Sequence, residues 1–197
     1  MSYNELHAVA HLASIPAIAI SGRSGCGNTT VNHLVAKKLG FTGINYTMRN
    51  YAEEQGLSFE EVVRLAQADS QIDRRIDRRQ VELCLAREHA VLSSRLAIWL
   101  LPQAALKVYL YASAKVRSRR IWQREGGTEE EQLHKTLARD QRDAERYRQL
   151  YGIDSEDFFF VDLILNTETF NQYQISDTIV QAYRLRYFSE NHNNPTS

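Results

Sequence analysis

The stretch at residues 17–31, AIAISGRSGCGNTTV, constrains this chain more than any other. Its apolar start is too short for a helix and ends in a glycine-punctuated turn, so it reads as a buried strand. Gly22, Gly27 and Thr29 then fit the spacing G-x-x-x-x-G-K-[ST] at every position except the lysine, where Asn28 stands. Glycines let the backbone wrap close to an anion, with successive N–H groups aimed inward at phosphate oxygens. The helix that follows adds unpaired N–H groups and the positive end of its dipole. Gly22, Arg23, Ser24, Gly25, Cys26, Gly27, Asn28, Thr29 and Thr30 thus form a candidate nucleotide-phosphate loop, with the Thr29 hydroxyl at the Mg²⁺ position. A ligand-free glycine turn is the plainer alternative. The apolar run, the spaced glycines and the Thr29-Thr30 pair together favour phosphate.

Around that loop, 197 residues suffice for one domain with a full core and room for a mobile sub-domain. Lysine plus arginine number 24 and aspartate plus glutamate 24, so no net field selects nucleic acid or a membrane, and neither is expected as a partner. The arginines are nonetheless concentrated between Arg64 and Arg148, which points to a local anionic ligand. Cys26 and Cys84 form no disulfide framework or metal spacing, as expected in a reducing cytoplasm. No apolar run approaches the ~20 residues of a membrane span, and the N-terminus lacks signal-peptide order. A cytoplasmic, enzyme-sized domain is expected.

Residues 1–14 read as a helical or loose extension. Val31, Leu34, Val35 and Leu39 make a helical stripe that Gly40 ends, and residues 41–45 suit a short strand. Ser58 with Glu61 is a capping box that opens a helix, and an amphipathic helix follows over about residues 72–87. Residues 90–93 and 106–111 are apolar runs of strand length, with a short helix between them stopped near Pro102. A basic helix at residues 114–124 breaks at Gly126-Gly127, and Thr128 with Glu131 caps another that runs to about Tyr151. Residues 158–166 contain a last strand, 171–188 a last helix and 189–197 a flexible polar tail. Strands alternating with helices imply an α/β fold with a parallel sheet covered on both faces. Right-handed crossovers place the glycine loop at the carboxyl ends of the strands, where open sheets bind ligands. The basic helix pair predicts a lid that excludes water from a reactive phosphoryl group.

Several stretches resemble the cytidylate kinases, in particular their compact archaeal-type, cytidylate kinase-like branch. Residues 51–61, YAEEQGLSFEE, resemble the segment after the family's monophosphate-binding arginine, which would be Arg49. IDRRIDRRQ at 72–80 resembles the branch's I-D-x-x-I-D-R-R-Q helix, and SRLAIW at 94–99 its G-R-L-A-x-W turn. Val116-Arg117, Arg120-Ile121 and Arg124-Glu125-Gly126 are similar to its lid; Arg139-Asp140, Asp143, Arg146 and the 151–154 stretch YGID to the segment after it; and DLILNT at 162–167 to its last strand. The likeness covers residues 17–182. It implies the P-loop nucleoside monophosphate kinase fold: a five-stranded parallel sheet flanked by helices, with a small helical lid. One kinase domain would span residues 15–188, with monophosphate-binding helices over about 46–88 and the lid with its flanking helices over about 115–147. It implies transfer of the ATP γ-phosphoryl group to CMP or dCMP with Mg²⁺, in a monomer or homodimer that binds small nucleotides. A loose phosphoryl-transfer transition state asks for alignment and cations, which arginines supply through bidentate grips. By the same resemblance Arg49 and Arg95 would hold the acceptor phosphate, and Arg139 and Arg146 complete the clamp. Asp143 would take a ribose hydroxyl, Asp77 and Arg78 read the cytosine edge, with Asp73 also among the substrate-binding residues, and Arg117, Arg120 and Arg124 close on ATP.

On spacing alone, Asp73, Asp77, Arg74 and Arg78 read more simply as a solvated helix face, each ion pair worth ~0.2–0.5 kcal/mol. Two positions depart from the kinase pattern. Asn28 brings a neutral donor where a lysine charge bridges the phosphates, and Ser93 stands where an acidic residue orients Mg²⁺ through water. Losing one cation and one anion leaves the local charge balanced, as in a re-tuned site. Arg23, directly after Gly22, is the expected compensation, reaching ATP within the chain or across a dimer. Arg23, Asn28, Arg95, Arg120, Arg139 and Arg146 are then the candidate catalytic set. The runner-up readings are a kinase for another small acceptor such as UMP or a metabolite, and a catalytically weak nucleotide-binding regulator.

Overall fold

The central strand, β1 (Ile15–Gly22), is apolar on both faces, and the layers of the fold follow from that. The computed structural model describes residues 14–192, with side chains through Tyr187. β1 lies between β3 (Ala90–Ser93) and β4 (Ala104–Tyr111), and β2 (Thr42–Ile44) and β5 (Leu163–Asn166) complete a five-stranded sheet of order β2-β3-β1-β4-β5. All pairings are parallel, with Ile20 beside both Ser93 and Val108. Ile18 and Ile20 face a layer made by α1 (Asn28–Leu39) and α8 (Gln172–His192), meeting Val31, Val35, Ile175 and Ile179. Ala17 and Ala19 face the other layer, under Trp99 and Leu101 around α5 (Ala97–Leu100) and under Tyr151 and Ile153 at the end of α7 (Glu129–Tyr151). Each isoleucine or leucine withdrawn this way contributes about 1.5–3 kcal/mol, which fixes the strand register.

The strand starts at Ile15, ahead of the expected residue 17, and its register with β4 shifts between Ile15 and Ile18. Pro16 lies in that irregularity, where its missing N–H removes no ladder bond. The last strand, expected within residues 158–166, runs from Leu163 to Asn166. Phe158 instead turns in to stack on Tyr109 at 3.9 Å between ring centres, and the chain bends before entering the sheet.

α2 (Met48–Gln55), α3 (Phe59–Ala68) and α4 (Gln71–Leu85) gather around a satellite core of Tyr46, Tyr51, Val62, Ile72 and Ile76. The expected capping boxes at Ser58 and Thr128 are formed, and Thr47 with Asn50 makes a third. α6 (Ala114–Glu125) and α7 form the expected basic hairpin, its tip tied by Trp122 Nε1 donating to Gly127 O and Gln132 Nε2 to Gly126 O, both at 2.9 Å. α8 continues past Phe188 to His192, so the tail expected at residues 189–197 begins as helix. Residues 193–197 and 1–13 lie outside the described residues, and with them the rest of that tail and nearly all of the expected extension.

Candidate active site

The loop joining β1 to α1 packs so closely on its neighbours that two of its glycines have no substitute. A Cβ on Gly22 would lie 2.7 Å from Leu110 O, and one on Gly25 2.9 Å from the Arg117 carbonyl, with Gly25 also held at φ 89°. The loop therefore presses its outer side onto β4 and α6 and turns its inner side to a cavity. Gly27 precedes α1 without a side-chain cap, so the first N–H groups of the helix face the cavity mouth unmasked. Asn28, at the lysine position, folds back and donates from Nδ2 to Gly22 O at 2.6 Å, knitting the loop to itself. Thr29 and Thr30 stand exposed on the cavity, with Asn45 Nδ2 donating to Thr29 Oγ1 at 2.9 Å. Cys26 turns the other way into the core, where burial pushes its thiol up to about 11.

Arginines from the helical hairpin hold the loop from behind. Arg117, only 1% exposed, donates to Ala112 O and Ser24 O and grips both oxygens of Asp140, at 3.1 and 2.6 Å. Arg120 donates to Gly25 O at 3.2 Å and to Thr167, while Arg139 donates to Ser24 Oγ at 3.1 Å. Arg23 lies at the cavity edge between Asp140 and Glu156, both of which pair with it.

One open cavity of about 680 Å³ connects the loop to the acceptor side. Arg49 sits there over the Phe59 ring at 4.3 Å, and Arg146 pairs with the buried Asp73. Arg95, just beyond β3, meets Asp143 at 3.2 Å. Burial raises the Asp143 carboxyl above the usual range, with Arg95 and Arg139 pulling the other way. Asp77 accepts from Gln80 Nε2 at 2.8 Å and from the Tyr151 hydroxyl at 2.7 Å. Burial pushes it up to about 6 despite both bonds and the nearby Arg95. A carboxyl raised in the folded state from 3.8 stabilises the fold most below pH 4, and that contribution is lost as pH rises through 6. Asp77→Asn is therefore expected to raise the urea midpoint at pH 7–8 relative to wild type, the margin shrinking to nothing towards pH 4.

Among the residues expected at the site, the cavity gathers Arg23, Ser24, Gly25, Gly27, Asn28, Thr29 and Thr30 on one side. On the other it gathers Arg49, Asp73, Asp77, Arg95, Asp143 and Arg146, with Arg120 and Arg124 above. Gly22 and Cys26 of the loop do not line it, nor do Arg117 and Arg139, and the exposed Arg78 points off the acceptor helix away from the cavity. Gln80 and Tyr147 line the cavity without having been singled out. The signal for Gln80 was present, since residues 73, 76, 77 and 80 share one face of a helix.

A parallel sheet of this order, a glycine loop opening a helix and an arginine-lined cavity define a P-loop kinase. Solved structures share the fold. They include a shikimate kinase from Bacteroides thetaiotaomicron (TM-score 0.54, 18% identity, 88% of this chain and 98% of that one) and a deoxyadenosine kinase from M. mycoides with bound dATP (TM-score 0.52, 18% identity, 84% and 98%). The model of the cytidylate kinase-like family matches residues 17–169. The chain is 38% identical over 178 residues to cytidylate kinase 2 of Borreliella burgdorferi, covering 88% of this chain and 98% of that protein. It is 40% identical over 153 residues to the cytidylate kinase of Pyrococcus abyssi, covering 76% and 83%. The chain belongs to the cytidylate kinase-like family.

Proposed function

We propose that this protein transfers the γ-phosphoryl group of ATP to CMP or dCMP, with Mg²⁺, in the cytoplasm. The observation that carries the reading is a cavity of about 680 Å³ lined both by a phosphate loop and by a set of arginines. The loop N–H groups and the start of α1 hold the phosphates of ATP. Arg49, Arg95 and Arg146 grip the acceptor phosphate and turn its oxygen in line. Arg139 and Arg120, bonded to the loop, keep the donor side in register with the acceptor side. Arg124 lies at the rim, where the hairpin covers ATP.

The Thr29 hydroxyl keeps a lone pair after accepting from Asn45, which suits a Mg²⁺ ion that otherwise keeps water and phosphate oxygens. That ion would neutralise charge on the phosphates during transfer. The neutral Asn28 leaves the loop one cation short, and Arg23, which belongs to the loop and lines the same cavity, makes up the charge. No helix among the described residues is long and apolar enough to cross a membrane. Cys26 and Cys84 are both free thiols, which suits a reducing compartment.

A coupled ADP-release assay with Mg·ATP against CMP, dCMP, UMP and AMP tests the reading. Rapid turnover is expected with CMP or dCMP. Calorimetric binding of ATP and CMP without turnover of any acceptor would overturn it in favour of a nucleotide-binding regulator.

A further inference from the structure

The acceptor face of α4 carries a polar atom for which the folded chain supplies no partner. Gln80 is 1% exposed and lines the cavity, and its Oε1 has no hydrogen bond. Leaving a buried amide oxygen unmatched is costly, and one on a residue that lines a cavity can be matched by a ligand. Its direction is not free. Nε2 donates to Asp77 Oδ1 at 2.8 Å, and an ionised carboxylate can only accept, so the amide must turn its nitrogen towards Asp77. The Tyr151 hydroxyl fixes the other oxygen of Asp77 at 2.7 Å, which keeps the carboxylate from swinging. The result is a buried, unpartnered acceptor, locked in orientation, on a residue that lines the cavity together with Ile76 and Leu150. A planar heterocycle lying on those side chains would bring its polar edge to that lining.

We propose that Gln80 Oε1 receives the exocyclic amine of the acceptor's base, so that the site selects a 4-amino over a 4-oxo pyrimidine. The inference rests on the nucleotide monophosphate kinase reading and adds the residue that chooses the base. A cytosine amine points a donor at the glutamine oxygen and satisfies it. A uracil carbonyl would set two acceptors against each other and leave both buried and unpaired, a mismatch that sites built this way reject strongly. Asp77 acts here as a positioning residue, choosing which end of the amide the base meets.

Specificity constants for CMP, for UMP and for the 4-unsubstituted pyrimidin-2-one ribonucleotide test this, in wild type and in Gln80→Met. Methionine keeps the volume and removes the acceptor. Wild type is expected to prefer CMP to both other acceptors by about 30-fold or more, and Gln80→Met to compress both ratios to within about threefold. Asp77→Asn provides a second variant should Gln80→Met fail to fold. With the amide free to turn over, its CMP-to-UMP ratio is expected to fall by about tenfold. Wild-type turnover of CMP with both ratios unchanged in the variants overturns the assignment of Gln80 alone. No wild-type turnover of CMP overturns the kinase reading and this inference with it.

Discussion

Replacing Arg95 with methionine is expected to lower kcat/KM for CMP by about 10³-fold or more while leaving the fold intact. Arg95 emerges where β3 ends, at the carboxyl edge of the sheet, and its side chain is 43% exposed towards the cavity. The chain holds it through Asp143 at 3.2 Å, which orients the guanidinium without covering it. A charge kept half open at a strand end adds little to stability, because an ion pair of this exposure is worth about 0–1 kcal/mol. Its value lies in the phosphate oxygens it can grip through two parallel N–H groups. Arg95→Lys is expected to recover only part of the loss, since an ammonium offers a point charge in place of a planar fork. Steady-state kinetics with CMP, beside thermal melts of the same variants, separate the two effects. A methionine variant that turns over at the wild-type rate would remove Arg95 from the acceptor clamp.

Where chemistry is carried by local sequence, the chain could be read without coordinates. The apolar run into Gly22, the helix after Gly27 and the capping boxes at Ser58 and Thr128 depend on neighbours within a few residues, and each is present. Tertiary geometry decided the rest. Asp77 and Arg78 form a single motif in sequence, yet adjacent residues on a helix point about 100° apart. Asp77 therefore meets the cavity and Arg78 meets solvent. Arg146 and Asp73 pair across two helices far apart in sequence, a contact that no periodicity announces. Asn28 could be seen to lack the lysine charge, but its donation to the Gly22 carbonyl depends on the loop closing on itself. Phe158 belongs to the stretch expected to contain the last strand, and its stacking on the Tyr109 ring, ahead of the strand's start at Leu163, is a contact between distant residues that no local pattern announces.

Arg117 is the sharpest case, and it yields the largest expected loss of stability. The family resemblance implies that it is a cation closing over ATP. In the fold it is almost wholly enclosed and spends its donors on Ala112 O, Ser24 O and both oxygens of Asp140. Asp140 is itself only 10% exposed, and its other partner, Arg23, is more distant at 3.4 Å. Arg117→Met would leave that carboxylate poorly compensated and two carbonyls without donors, one of them on the phosphate loop. Breaking a buried pair from one side costs about 3–5 kcal/mol. Domains of this kind hold only about 5–15 kcal/mol in total. The ligand-free protein is therefore expected to unfold at markedly lower urea, with a wild-type m-value. ATP affinity should fall only as far as the loop loosens. Arg124→Met, at the exposed rim, is expected to leave the urea midpoint unchanged and to weaken ATP alone. If Arg117→Met instead kept its urea midpoint and lost ATP binding, the arginine would be acting on the nucleotide, and the loop would owe its shape to Arg120, Arg139 and its own glycines.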